Sequence, residues 1–100
     1  MNKKLLKKIQ ELTKKDLKYK SIAELYLSAG EEFGELGRAI KVEEKVYGNK
    51  HKTLDEPALS EAVDLLIMSL ALYVGCGGDL ESLPKILKRK LKKWQSNQKE

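Results

Sequence analysis

The sequence predicts an all-α protein, a compact bundle of three or four helices assembled as a homo-oligomer. Three observations point there. No run of strict apolar–polar alternation suggests a strand. Both prolines and most of the seven glycines fall between segments with helical apolar spacing. The segment after Asp64, through Val74, is apolar on every side for nearly three turns, and a helix hydrophobic all round is buried all round. In a chain of 100 residues, such burial calls for a second surface, most simply another copy.

The elements follow in order. Leu5, Leu6, Ile9, Leu12 and Leu17 are spaced for one face of a first helix, with lysines around the rest. A second, longer helix begins near Ser21, an N-cap with Glu24 three residues on, as a capping box requires. Its expected buried stripe is Ile22, Leu25, Ala29, Phe33, Leu36 and Ile40, and its expected end lies near Tyr47, before Gly48-Asn49. A polar loop from Gly48 to Asp55 leads to a third helix capped by Thr53 or Asp55, with Pro57 in its first turn. That helix runs to about Val74 and stops at Gly75-Cys76-Gly77-Gly78. Asp79 or Ser82 caps a fourth, in which Leu83, Ile86, Leu87, Leu91 and Trp94 form the apolar face and Trp94 is expected in the core. With no linker or repeat, residues 1–100 read as one domain.

The net charge of +5 conceals a pattern. Residues 1–20 hold eight lysines against two acids, residues 21–82 five basic against twelve acidic residues, and residues 83–100 seven basic residues against Glu100. The chain is an acidic centre between two basic ends, unlike a uniformly basic nucleic-acid binder. Cys76 stands alone, which excludes an intramolecular disulfide, and no Cys/His cluster offers a zinc site. The lysine-rich start lacks the apolar core of a signal peptide, and the longest apolar run, Leu65 to Val74, is too short to span a membrane. A reducing cytoplasm is the expected location.

The acids carry the chemistry. Glu61 and Asp64 stand three apart at the head of the apolar helix, so they share a side. Glu32 and Glu35 repeat the spacing on the second helix, where Gly34 thins the surface for a close approach by a helix or ligand. If the two helices pack antiparallel, the pairs face each other as hard oxygen ligands, a set that suits Mg²⁺ or Mn²⁺. A di-iron bundle needs Glu-x-x-His on two helices, and the single His51 lies in the loop. Any one of these glutamates alone reads as a solvated face; the four together do not.

Glu32-x-x-Glu35, 25 residues, then Glu61-x-x-Asp64 resembles the pattern of the MazG-like nucleotide pyrophosphohydrolases, of the all-α NTP pyrophosphohydrolase superfamily. Glu31-Glu32-Phe33-Gly34-Glu35-Leu36 is similar to that family's Glu-Glu-x-Gly-Glu-Leu segment, Glu61 to Ile67 to its acid-x-x-Asp-aliphatic helix, and Gly78 to Trp94 to its closing helix. The resemblance covers roughly residues 20–95 of the chain. It implies hydrolysis of a (deoxy)nucleoside triphosphate to the monophosphate and pyrophosphate, with Glu32, Glu35, Glu61 and Asp64 as Mg²⁺ ligands. Glu31 or Glu35 would hold or deprotonate the attacking water, and Lys90, Lys93 and a loop lysine, Lys50 or Lys52, would meet the phosphates. A dimer or tetramer is expected. Two other readings compete: a basic helical nucleic-acid-binding module, supported by the lysines at both ends, and a catalytically silent oligomeric helical protein.

Overall fold

The computed structural model describes residues 2–44 and 57–98, and among these it shows four helices and no strand. They are α1 (Lys3–Asp16), α2 (Ile22–Glu43), α3 (Ala58–Gly75) and α4 (Leu83–Asn97).

Local chemistry sets the ends. The Asn2 side chain accepts the Leu5 N–H at 3.0 Å to open α1, whose last turn carries Lys14 and Lys15 where cations favour the helix dipole. At α2, Ser21 Oγ accepts the Glu24 N–H at 3.1 Å while Glu24 Oε1 accepts the Ser21 N–H at 3.3 Å, a complete capping box. The helix is described to Glu43 with Glu44 as its C-cap; the expected end near Tyr47 lies outside the described residues. So do the proposed caps Thr53 and Asp55, and Pro57 stands at the N-cap of α3 instead, with no side chain to accept a hydrogen bond. α2 provides one: the Ala58 N–H donates to Glu43 Oε2 at 2.8 Å.

α3 closes with a Schellman motif. The Gly78 N–H donates to the Tyr73 carbonyl and the Gly77 N–H to the Val74 carbonyl, with Gly77 at φ +100°. The Tyr73 ring folds over this turn and its O–H donates to the Asp79 carbonyl at 3.0 Å. A Cβ on Gly78 would fall 2.5 Å from that ring, so the chain approaches the aromatic face closely. Ser82 caps α4 without a side-chain hydrogen bond, and Pro84 sits in its first turn, where its missing N–H is harmless.

Two packings organise these helices. α2 and α3 lie antiparallel: Glu43 meets Ala58 at one end, and Gly75 lies beside Leu25 and Ile22 at the other. α1 crosses the C-terminal half of α3, where Leu6 and Ile9 join Tyr73 and Leu83 around the buried cluster Leu70, Val74 and Leu80. Gln10 ties this corner to the α3–α4 turn by accepting the Leu80 N–H at 3.1 Å.

The expected compact bundle does not close within one chain. The radius of gyration is 16.3 Å, against about 13 Å for a compact domain of this length. Among the described residues α4 packs along no other helix, and Leu87, Leu91 and Trp94 are exposed, so the expectation that Trp94 is core is not met. The α2 stripe is also rotated from the expected one. Leu25, Ala29 and Ala39 are buried and Leu36 is half-buried, whereas Phe33 is 68% exposed and Ile22 and Ile40 are exposed. No neighbour uses the gap at Gly34, where an added Cβ would meet nothing within 4 Å. α3 keeps an uncovered apolar side of Leu59, Val63, Leu66 and Ile67. The apolar run Leu65 to Val74 is too short to span a membrane, whereas the whole 18-residue helix is, by length and composition alone, long and apolar enough to cross one, with 17% of it buried.

Two glycine substitutions should act with opposite sign in urea unfolding. Gly77→Ala forces a Cβ into left-handed backbone and should destabilise by about 1–2 kcal/mol. Gly30→Ala, in an open helix interior, should stabilise by about 0.5–1 kcal/mol. A Gly77→Ala protein as stable as the parent would contradict the α3 terminus described here.

Candidate metal centre

The antiparallel α2–α3 pair determines which acids meet. On α2 the buried side runs Leu25, Ala29, Glu32, Leu36, Ala39, at steps of three or four, so Glu32 stands within the apolar seam. On α3 the side turned to α2 begins with Glu61 and Asp64, one turn apart. A carboxylate oxygen from each of Glu32, Glu61 and Asp64 lies within 4.8 Å of the other two. All three residues are half-buried, and Oε2 of Glu32 and Oε2 of Glu61 are shielded from solvent.

The remaining expected residues stand elsewhere. Glu35 is exposed and outside the three-carboxylate group: it stands about 60° round the helix from Glu32, in the direction away from the Leu25, Ala29, Leu36 and Ala39 seam. Glu31 is exposed beside it. Lys90 and Lys93 are exposed on α4, which enters at the Leu70–Val74 end of α3. Asp64 lies ten residues before Val74, about 15 Å along the axis, and among the described residues α4 does not pack along either helix that carries the carboxylates. Lys50 and Lys52 lie outside the described residues.

Glu43 is the residue that sequence reading missed. Its carboxylate substitutes for the cap that Pro57 lacks and pins the register in which Glu32 meets Glu61 and Asp64. An acid near a helix C-terminus is ordinarily unfavourable there, and only the tertiary pairing reveals its role.

Three carboxylates this close repel one another. Oxygen-only donors at half-buried positions fit a hard divalent ion such as Mg²⁺ or Mn²⁺, which keeps several waters beside one or two carboxylates. Comparison of the chain with protein-family models, with curated proteins and with solved structures finds no match.

Added Mg²⁺ should raise the melting temperature of the parent and leave that of Asp64→Asn unmoved. A parent melting temperature unmoved by Mg²⁺ would contradict a cation site at this cluster.

Proposed function

We propose that the chain is a Mg²⁺-dependent pyrophosphohydrolase of (deoxy)nucleoside triphosphates. It acts in the cytoplasm as a homo-oligomer, in the manner of the MazG-like enzymes its sequence resembles. The observation that carries this reading is the convergence of Glu32, Glu61 and Asp64 across α2 and α3.

Glu32, Glu61 and Asp64 would hold the ion, with Mn²⁺ as an alternative. A divalent ion there supplies charge for the phosphate oxygens and makes a bound water more acidic. The chain's own part is orientation and proton transfer. Glu31 or Glu35, both exposed on α2, would accept a proton from water attacking the α–β phosphoanhydride. Lys90 and Lys93 would bind the polyphosphate and, with Lys52, offset its charge. Since α4 stands off its own carboxylates, the α4 of another copy is the natural source of these cations.

One observation favours a second reading, a nucleic-acid-binding module. α4 carries six cations and no acid, and none of its residues is buried. Such a helix attracts phosphate backbones without regard to sequence.

Incubation with a panel of NTPs and dNTPs plus Mg²⁺, with product identification, separates the two. Turnover should give the monophosphate and pyrophosphate, with Glu61→Gln and Asp64→Asn lowering kcat at least 100-fold. Glu35→Gln should lower kcat while Mg²⁺ affinity is retained. Orthophosphate and a diphosphate as products would mean the wrong bond was assigned. No turnover together with salt-sensitive duplex binding would favour the second reading.

A further inference from the structure

The 15 residues of α4 include six cations and no acid. At about 100° per residue, Leu83, Leu87, Leu91 and Trp94 fall within an arc of roughly 80°. Lys88 and Lys93 stand roughly 110° to either side of the centre of that arc, and Lys85, Arg89 and Lys92 lie opposite it. Leu83 packs on the buried cluster of Leu70, Val74 and Leu80, while Leu87, Leu91 and Trp94 are 49%, 54% and 64% exposed. A stripe of Leu and Trp flanked by lysines, with a cationic opposite face, suits a helix lying in the plane of a membrane interface. Lysine stems run along the apolar edge there while their ammonium groups stay at the headgroups.

The fold sets this helix apart from the acids of the chain. Asp64 lies about 15 Å along α3 from Val74, beyond the ~8 Å screening length of physiological salt. Asp79 and Glu81 stand in the turn that leads into α4, ahead of its first cation. α1, with six lysines against Glu11 and Asp16, meets the same corner through Leu6 and Ile9. Two basic helices thus share one end of the molecule.

We propose that α4 binds the surface of an anionic phospholipid bilayer, with Leu87, Leu91 and Trp94 turned into the acyl boundary and its cations on the headgroup phosphates. A nucleic-acid duplex rewards the cations but offers no cover to three large apolar side chains. A second copy fits less well: α4 on α4 sets six cations against six, and Arg38 and Lys41 stand on the open side of α2. A cytoplasmic membrane leaflet carries the required negative charge and is reached from the location proposed above. The proposal does not rest on the metal or the substrate. Its consequence for that reading is competition, because Lys90 and Lys93 on one helix cannot serve lipid and polyphosphate together.

The test uses the intact chain in EDTA at about 0.15 M salt, with vesicles of phosphatidylglycerol and phosphatidylcholine in equal parts or of phosphatidylcholine alone. Trp94 is the sole tryptophan, so its emission reports on α4 directly. Co-sedimentation should be at least ten-fold stronger with phosphatidylglycerol present. Trp94 emission should shift to the blue there and be quenched by lipid brominated in its acyl chains. Leu87→Glu with Leu91→Glu should lose both signals and keep its helical circular dichroism. Lys88→Gln with Lys92→Gln should weaken sedimentation at least three-fold, with Trp94 still quenched in the bound fraction. A parent that does not sediment with phosphatidylglycerol vesicles, or that sediments with Trp94 unquenched, would overturn the proposal. Duplex DNA binding that survives Leu87→Glu with Leu91→Glu, without quenching on vesicles, would give α4 to nucleic acid instead. A parent that ignores vesicles and whose mass halves in that same variant would give the apolar face to a second copy. None of these readouts involves nucleotide or metal, so they stand or fall apart from turnover.

Discussion

Three carboxylates drawn within 4.8 Å at the seam of two antiparallel helices are the constraint to which the rest of this small protein answers. Bringing them together requires one register of α2 on α3, and that register has support along its length. Some comes from Glu43, which caps α3 and fixes register, and some from Leu25 and Ile22 beside Gly75 at the far end. Further support comes from the α1 corner, where Leu6 and Ile9 close on Leu70 and Val74 and Gln10 holds the turn at Leu80.

Most of the fold was legible where local chemistry decides it. Ser21 with Glu24, and the Gly75–Gly78 run, marked helix ends because capping boxes and left-handed turns depend on neighbouring residues alone. The facing side of α2 was less legible. Counting bulky apolar residues selects Phe33 for the core and leaves Glu32 at its margin, whereas α3 meets Glu32 and leaves Phe33 to solvent. Ala39, small and unremarkable in sequence, is buried to 2% exposure because the helices come close there. The same rotation separates Glu35 from Glu32: spacing of three puts two acids near one side, but the partner helix chooses between them. Gly34 likewise suggested an approach that no helix of the same chain makes.

The two basic ends take on different characters once folded. α1 spends part of its apolar face on α3, with Leu6 and Ile9 packed and Leu5 and Leu12 left exposed. α4 spends almost none. An 11.4 kDa chain that leaves an aromatic row on α2, an aliphatic side on α3 and a whole amphipathic α4 uncovered has buried less than its composition allows. The apolar α3, long enough for a bilayer by length and composition, has its two acids turned toward α2 in the same packing.

Direct measurement of the ion bears most closely on the central claim. Titration of the metal-free protein with Mn²⁺, followed by the electron paramagnetic resonance signal of the free ion, counts sites without needing a substrate. Saturable uptake of at least one Mn²⁺ per chain is expected, competed by Mg²⁺, lost in Glu32→Gln and Glu61→Gln, and unchanged in Glu11→Gln on α1. A free-ion signal that never falls below that of buffer, or uptake unchanged in Glu32→Gln and Glu61→Gln, would contradict a metal centre at the α2–α3 seam.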